Sequence, residues 1–174
     1  MISDFIKGKK KYDFSEGIQK GIMLHRAIDT FTDEHPATKA AKQFLKPAVG
    51  LYAGAFVDVA YDHFLANDSI EFNHDFLLEH SDLTYKTLAQ YETILPAPFR
   101  QMLPYMISQN WLYNYKTMNG TAQSFGGVVR RAVYLHSSAD VFSLFEKHYL
   151  ELQNCYKLFF PALKSFALTE FELL

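Results

Sequence analysis

Two aspartates and a histidine interrupt an otherwise apolar stretch of the sequence. Asp58 and Asp62 are four residues apart, a spacing that places both carboxylates on one face of a helix, and His63 follows directly. Burying a carboxylate is costly unless a partner neutralises its charge, and no Lys or Arg lies between Lys46 and Lys86. The pattern therefore favours a distant basic partner or a metal ion. The alternative is that one aspartate faces solvent and His63 is a polar residue with satisfied hydrogen bonds.

An upstream segment repeats this arrangement of side chains. His25 and Asp29 are four residues apart, with Arg26 beside the histidine. An imidazole and a carboxylate one helical turn apart can both bind a divalent ion such as Mn²⁺, Fe²⁺ or Zn²⁺. The polar residues 33–35 end the segment and are candidates for the outer shell of the same site. The alternatives are a surface hydrogen bond between His25 and Asp29 and a solvated helix end before Pro36.

The two segments together indicate one kind of chemistry. If a helical bundle packs them face to face, their ligands meet at a metal site in its core. The sequence contains no P-loop, no GxGxxG and no GxSxG motif that would indicate other chemistry. The single cysteine, Cys155, is expected to be a packing residue rather than a nucleophile. We therefore predict a hard metal site built from histidine and aspartate.

The elements that must position these residues are helices, because apolar residues recur at helical spacing along nearly the whole chain. Residues 48–66 are apolar almost all round, which is typical of a central, buried helix. No stretch alternates with period two for long enough to predict a strand, so we predict a single all-α domain over residues 1–174. The first predicted helix begins near Asp13 or Ser15. The second spans Pro36 to about Leu45, and Pro47 separates it from the next. The others cover 48–66, about 74–94, 98–107, 109–116, Thr121 to about Tyr134, and Ser137 or Ser138 onward, and Pro161 is expected to kink or end the last.

Composition excludes several classes of protein. A length of 174 residues suits one domain, and 17 basic against 19 acidic residues give a net charge of -2, which argues against a nucleic-acid partner. One cysteine excludes an intrachain disulfide framework. No run approaches the roughly 20 apolar residues of a membrane span, and no basic region followed by an apolar core marks a signal peptide. We expect a soluble, cytoplasmic protein.

These motifs carry a resemblance to a known family. Residues 21–36 include the pattern LHRxID…HP, and residues 53–65 include DxxxDHF. Further agreement comes from residues 110–112 with Tyr115 downstream, and from residues 1–8, which carry an aspartate near the first helix. Together these segments resemble the acyl carrier protein phosphodiesterase family over most of the chain, with the closest agreement in residues 1–66.

The resemblance implies a fold, a reaction and a metal ion. Members are all-α and distantly similar to the HD-domain metal-dependent phosphohydrolases. They hydrolyse the phosphodiester that joins 4′-phosphopantetheine to a serine of holo-acyl carrier protein, and Mn²⁺ is the favoured ion. By position, the resemblance implies catalytic roles for Asp4, His25, Asp29, Asp62 and His63, and metal ligation by His25, Asp29, Asp58, Asp62 and His63.

The expected mechanism uses the metal ion and an acidic protein substrate. A divalent ion lowers the pKa of bound water and polarises a phosphoryl oxygen. Arg26 either clamps the phosphate or forms a surface ion pair. The dense cluster Lys9, Lys10 and Lys11 either docks the acidic carrier or belongs to a solubilising loop. The oligomeric state and the number of metal ions stay open.

Two departures from the family pattern leave other functions open. The family has an N-terminal segment, with a further histidine, that we expect this chain to lack. Arg130-Arg131 stand in place of a more basic, proline-containing stretch. The alternatives are an HD-type phosphohydrolase acting on a small phosphodiester or nucleotide, and a helical interaction module with impaired catalysis.

Overall fold

Helices follow one another along the chain in the computed structural model, which describes residues 2–72 and 74–174. The described residues form no strand, so the prediction of an all-α fold is confirmed. The helices are α1 (Glu16–Glu34), α2 (Pro36–Val49), α3 (Ala53–Ala66), α4 (His74–Gln90), α5 (Ala97–Ser108), α6 (Trp111–Asn114), α7 (Met118–Arg131), α8 (Ala139–Lys147) and α9 (Tyr149–Glu172). No helix among these residues has the length and apolar character needed to cross a membrane.

The main core lies between α2, α3, α7, α8 and α9, and α3 occupies its centre. Phe56 of α3 meets Phe125 of α7 edge to face, with ring centroids 5.0 Å apart, and both side chains are fully buried. Phe145 of α8 packs on Phe125, and Leu45 of α2 and Leu152 of α9 are buried in the same cluster. The predicted central, buried helix is therefore α3, and burial of its apolar surface is a main source of stability.

A second, smaller core lies under α4 and α5. Tyr85, Phe99 and Leu103 are buried there, and a short 3-10 helix near the N-terminus, Ser3–Phe5, packs against it. The ring of Phe5 meets Phe99 edge to face at 5.6 Å. Because Phe5 is anchored on this core, its neighbour Asp4 is held in a defined place on the surface.

Local signals start α2 and α7. Pro36 occupies the first turn of α2, where a missing N–H costs nothing. The ring nitrogen Nδ1 of His35 accepts a hydrogen bond from the amide of Ala37 at 3.2 Å and so caps α2. The hydroxyl of Thr117 caps α7 by accepting from the amide of Gly120. Helix α7 therefore begins and ends three residues before the predicted 121–134.

Two prolines that were expected to mark a helix end, or for Pro161 a kink, lie inside helices. Helix α2 continues through Pro47 to Val49, where Leu45 and Val49 are buried in the main core and this packing offsets the hydrogen bond that the proline removes. Helix α9 continues through Pro161 to Glu172. Its flanking residues pack on the main core, with Phe159 buried there and Leu163 in contact with it, and this packing offsets the lost backbone hydrogen bond.

Other boundaries also differ from the sequence prediction. The helix predicted for 48–66 starts at Ala53, after Gly50 at φ 55° and a 3-10 turn. The helix predicted for 74–94 ends at Gln90 and is followed by a separate 3-10 turn. The long C-terminal helix is two helices, α8 and α9, separated at His148. Cys155 is buried in α9, in the packing position expected for it.

Candidate metal centre

A cleft of about 630 Å³ lies between α1, α3 and α9 and collects most of the predicted site residues. Its lining is partly acidic and partly apolar. The acidic part, here called the acidic wall, consists of Asp4, His25, Asp29, Asp33, Asp58 and Asp62, and the apolar part, here called the apolar wall, consists of Ile28, Tyr61, Leu65, Tyr156, Phe159, Phe160 and Leu163. Two pairs predicted from the sequence, His25 with Asp29 and Asp58 with Asp62, therefore line the same space.

The tightest group in this cleft consists of Asp4, His25 and Asp29. Each offers one ligand atom, and these atoms all lie within 4.8 Å of one another. The imidazole of His25 donates from Nδ1 to Oδ2 of Asp29 at 2.9 Å, which orients the ring. One imidazole and two carboxylates are the donor set that a hard or borderline divalent cation prefers. Asp4 comes from the N-terminal segment and the other two from adjacent turns of α1, as the four-residue spacing predicts.

The other carboxylates of the cleft affect the pKa of Asp58. Its side chain is open to the cleft, but surrounding protein limits its solvation. Desolvation is the main cause that raises its pKa from 3.8 to about 6, and the negative charge of Asp33 adds to this effect. The ammonium of Lys42 opposes this rise, and the smaller effects of Asp29 and Asp4 add to it. The carboxylates of the cleft thus repel one another, and a bound cation would relieve this repulsion.

Asp62 lies one turn further along α3, near the hydroxyl of Tyr115. Limited solvation and the charge of Asp58 raise the pKa of Asp62 from 3.8 to about 7. The Tyr115 hydroxyl favours the charged carboxylate and opposes that rise, and Ser124 acts in the same way on the pKa of the Tyr115 hydroxyl. Tyr115 therefore helps to keep the Asp62 carboxylate in its charged form.

His63 is not brought to this cleft. Consecutive helix residues point about 100° apart, so His63 cannot share the face of Asp62, and its side chain is only 2% exposed in the core. Nδ1 donates to the carbonyl oxygen of Tyr115 at 2.8 Å, with the hydroxyl of Thr121 at 3.0 Å. Nε2 accepts from the hydroxyl of Tyr149 at 2.9 Å. Both nitrogens are thus occupied, and we leave His63 out of the ligand set to which the resemblance assigned it.

Arg26 contacts the backbone of the N-terminal segment. Its guanidinium donates to the carbonyl oxygen of Ile6 at 2.6 Å, and the Ile6 side chain is buried. This contact differs from both roles expected of Arg26, the phosphate clamp and the surface ion pair. Since Ile6 follows Asp4 by two residues, Arg26 and the Phe5–Phe99 contact hold the Asp4 segment from two sides. Met1, the first residue of the motif 1–8, lies outside the described residues.

The predicted docking lysines lie away from the acidic wall. Lys9, Lys10 and Lys11 belong to the short 3-10 helix Gly8–Asp13, and none of the three lines the cleft. Lys9 and Lys10 are exposed, while the ammonium of Lys11 lies 5.1 Å from the ring centroid of Tyr12.

Sequence reasoning missed two features of this site. Tyr115, which contacts His63 and lowers the pKa of Asp62, was singled out only as part of the family pattern. The apolar residues of α9 that line the cleft, which include Phe160 and Leu163, were not assigned to the site. The available signal was the apolar spacing of this helix, which does not distinguish a core face from the wall of a cleft.

The bundle and its cleft define a class of protein, an all-α chain that presents a histidine and several carboxylates to one cleft. The family model described as acyl carrier protein phosphodiesterase matches residues 1–163. The chain therefore belongs to the acyl carrier protein phosphodiesterase family, and the resemblance read from its motifs is confirmed.

Curated relatives agree with this assignment. A protein of Yersinia enterocolitica named acyl carrier protein phosphodiesterase is 29% identical over 169 residues, which cover 95% of this chain and 86% of the relative. A protein of Escherichia coli O45:K1 with the same name is 29% identical over 164 residues, covering 92% and 84%. One from Enterobacter sp. strain 638 is 26% identical with the same coverage. No solved structure matches the chain, so the distant similarity to HD-domain phosphohydrolases stays a prediction.

Proposed function

We propose that this protein is a metal-dependent phosphodiester hydrolase that removes 4′-phosphopantetheine from holo-acyl carrier protein. The observation that carries the proposal is the meeting of Asp4, His25 and Asp29 within 4.8 Å, in a cleft that also contains Asp58 and Asp62. Family membership and the shared name of the curated relatives support the reaction. The donor set supports a divalent ion, and the family resemblance favours Mn²⁺.

The residues of the cleft have distinct tasks in this proposal. Asp4, His25 and Asp29 would hold the ion, and Asp58 and Asp62 are further carboxylates available to it or to a second ion. Such an ion supplies an activated water and neutralises charge on the phosphate. Without its charge, five aspartates in the cleft would repel a phosphodiester anion.

The apolar wall suits the remainder of the substrate. The pantetheine arm beyond the phosphate carries no charge, and its methyl and methylene groups gain by lying against apolar surface. Helix α9 offers such a surface in the same cleft, with Tyr156 and Phe160 stacked at a centroid distance of 5.2 Å and Leu163 also in the lining. A substrate with an anionic phosphate and a long uncharged arm therefore matches both walls.

The proposal is tested with holo-acyl carrier protein as substrate. We expect the purified chain to release 4′-phosphopantetheine with Mn²⁺ and to lose this activity in excess chelator. Asp29→Asn removes a ligand charge of the cluster and should lower kcat by at least about 100-fold, within the range seen when catalytic groups are removed. The matched control is Asp82→Asn, an exposed aspartate of α4 that does not line the cleft.

Several outcomes would contradict the proposal. Full activity of the Asp29→Asn variant, or activity that survives chelation, would rule out the metal mechanism. Turnover of small phosphodiesters or nucleotides without turnover of the holo-carrier would show that the proposed substrate is wrong and that the enzyme acts on a small phosphodiester. The absence of both metal binding and hydrolysis would favour the helical interaction module.

A further inference from the structure

Three lysines form a stripe along α2, here called the α2 lysine stripe: Lys39, Lys42 and Lys46. Their spacing of three and four residues places them on one helix face. Lys39 and Lys46 are exposed, and within the described chain neither forms an ion pair. Lys42 donates to Oδ1 of Asp33 at 2.7 Å, so its charge is partly neutralised. The stripe therefore keeps two free positive charges.

Two lysines of the stripe line a hollow beside the candidate metal centre. A second hollow of about 410 Å³ lies beside the acidic cleft and is lined by Lys42 and Lys46. It shares Asp33 and Asp58 with that cleft, so the two spaces are adjoining. A molecule lying on the lysines would thus be next to the carboxylates.

A large apolar side chain stands at the edge of this hollow. Leu51 is 100% exposed and follows Gly50, whose φ of 55° turns the chain between α2 and α3. A lone exposed leucine needs no explanation in general. This one lines the same hollow as Lys42 and Lys46, where an apolar contact and charge pairs can act on the same partner.

We propose that the α2 lysine stripe and Leu51 form the surface on which the acyl carrier protein docks; this inference rests on the proposed function. In that substrate the phosphate is attached to a serine of the carrier itself, so the carrier must touch the surface that borders the cleft. The cleft contains five aspartates and repels an acidic protein. The complementary positive charge must therefore come from neighbouring residues, and Lys42 and Lys46 line the adjoining hollow. Lys9, Lys10 and Lys11 line neither space.

Binding of fluorescently labelled apo-carrier, measured by anisotropy, tests the docking surface without any turnover. We expect the double variant Lys39→Glu/Lys46→Glu to weaken binding about tenfold or more at low salt, and the difference to shrink at high salt, because surface charge pairs are screened. The matched control is Lys9→Glu/Lys10→Glu, which makes the same change of charge at the other lysine cluster. It should bind the carrier nearly as tightly as the wild type.

A second variant separates the apolar contact from charge. Leu51→Ser removes a side chain that is fully exposed, so the fold is not at risk. It should weaken binding several-fold at low and at high salt alike, because an apolar contact is not screened. Binding by Leu51→Ser equal to that of the wild type would remove Leu51 from the surface.

The possible results distinguish a wrong docking surface from a wrong proposed reaction. If the wild type does not bind the carrier, or if Lys9→Glu/Lys10→Glu weakens binding more than Lys39→Glu/Lys46→Glu does, the proposed surface is wrong. If the wild type binds through the α2 lysine stripe but releases no 4′-phosphopantetheine with Mn²⁺, the docking surface stands and the proposed reaction is wrong.

Discussion

Tyr115 connects two neighbouring residues of α3 that point in different directions. Its hydroxyl lowers the pKa of Asp62 in the cleft, while its backbone carbonyl accepts from His63 in the core. One residue of the segment between α6 and α7 thus acts on a cleft carboxylate and on a buried imidazole. We expect Tyr115 to be a positioning residue, because it acts on the site through Asp62.

Tyr115→Phe tests this role while leaving the ring and the backbone carbonyl in place. We expect kcat for holo-carrier hydrolysis to fall about tenfold, in the lower range for partners that orient metal-site residues. KM and the melting temperature should change little, since the contact to His63 remains. Tyr105→Phe, at an exposed tyrosine of α5, is the control. A kcat equal to that of the wild type would show that the hydroxyl does not position Asp62.

The residues of the site were predictable to the extent that helix geometry alone places them. The four-residue spacing identified His25 with Asp29 and Asp58 with Asp62, because the spacing fixes which side chains share a face. It could not place His63, since its direction into the core depends on which face of α3 is buried. Nor could local pattern place Tyr115, whose contacts join residues more than 50 positions apart.

The N-terminal segment is the element that completes the cluster. Among its described residues before α1 it has two short 3-10 helices, Ser3–Phe5, which contains Asp4, and Gly8–Asp13. Two tertiary contacts hold it, the Phe5 ring against Phe99 and the Arg26 guanidinium on the carbonyl of Ile6. The ligand atoms of Asp4 therefore depend on residues that touch no part of the cleft themselves.

Arg26→Gln tests the dependence of the cluster on this segment. Without the guanidinium, the carbonyl of Ile6 loses its donor and the Asp4 carboxylate is held less firmly. We expect the affinity for Mn²⁺, measured by calorimetric titration, to fall about tenfold, while the circular dichroism spectrum stays helical. Arg100→Gln, at an exposed arginine of α5, should leave the affinity unchanged. Unchanged Mn²⁺ affinity of Arg26→Gln would contradict the positioning role.

At the scale of the whole molecule, His63 joins three helices. It belongs to α3, meets Thr121 of α7 and accepts from Tyr149 of α9. Its hydrogen bonds require a neutral imidazole. Nε2 accepts from Tyr149, and a proton on Nε2 would make this nitrogen a second donor with nothing to accept from Tyr149. Burial lowers the pKa of His63 below its usual 6.5. The packing of these helices therefore depends on the charge state of one imidazole.

The contribution of His63 to stability should accordingly fall in mild acid. The unfolded chain takes up a proton on this imidazole near pH 6.5, whereas the folded chain does so only at lower pH. Between these values the unfolded state binds more protons at this group, so the contribution of His63 to the free energy of unfolding decreases as the pH falls below about 6.5. The raised pKa values of Asp58 and Asp62 act in the opposite direction, because the folded state protonates these carboxylates first. In urea unfolding at pH 7.5 and 5.5, the change in unfolding free energy on acidification should therefore be more favourable in His63→Gln than in the wild type, and the exposed His136→Gln is the control, which should change as the wild type does.

An identical change between the two pH values in His63→Gln and in the wild type would show that His63 does not contribute to the acid sensitivity. The absolute free energy of unfolding of His63→Gln does not enter this comparison. It uses only the change in that free energy between the two pH values for each protein.

Helix type and order were predictable from apolar periodicity, but helix ends were not. Pro47 and Pro161 lower local helix propensity, yet both lie inside helices that the core holds in place. The break at His148 divides one apolar pattern into two helices, of which α8 packs on α2 while α9 packs on α1, α2 and α3. Helix ends and breaks of this kind depend on tertiary contacts, and a local sequence pattern carries no information about those contacts.

The burial of Cys155 has a practical consequence for labelling. It is the single cysteine of the chain, and burial both shields its thiol and raises the thiol's pKa, so little reactive thiolate forms near neutral pH. A cysteine introduced on the surface would then be the one thiol that maleimide dyes reach in the folded protein. Leu51→Cys would place a spectroscopic reporter beside the α2 lysine stripe without a cysteine-free background.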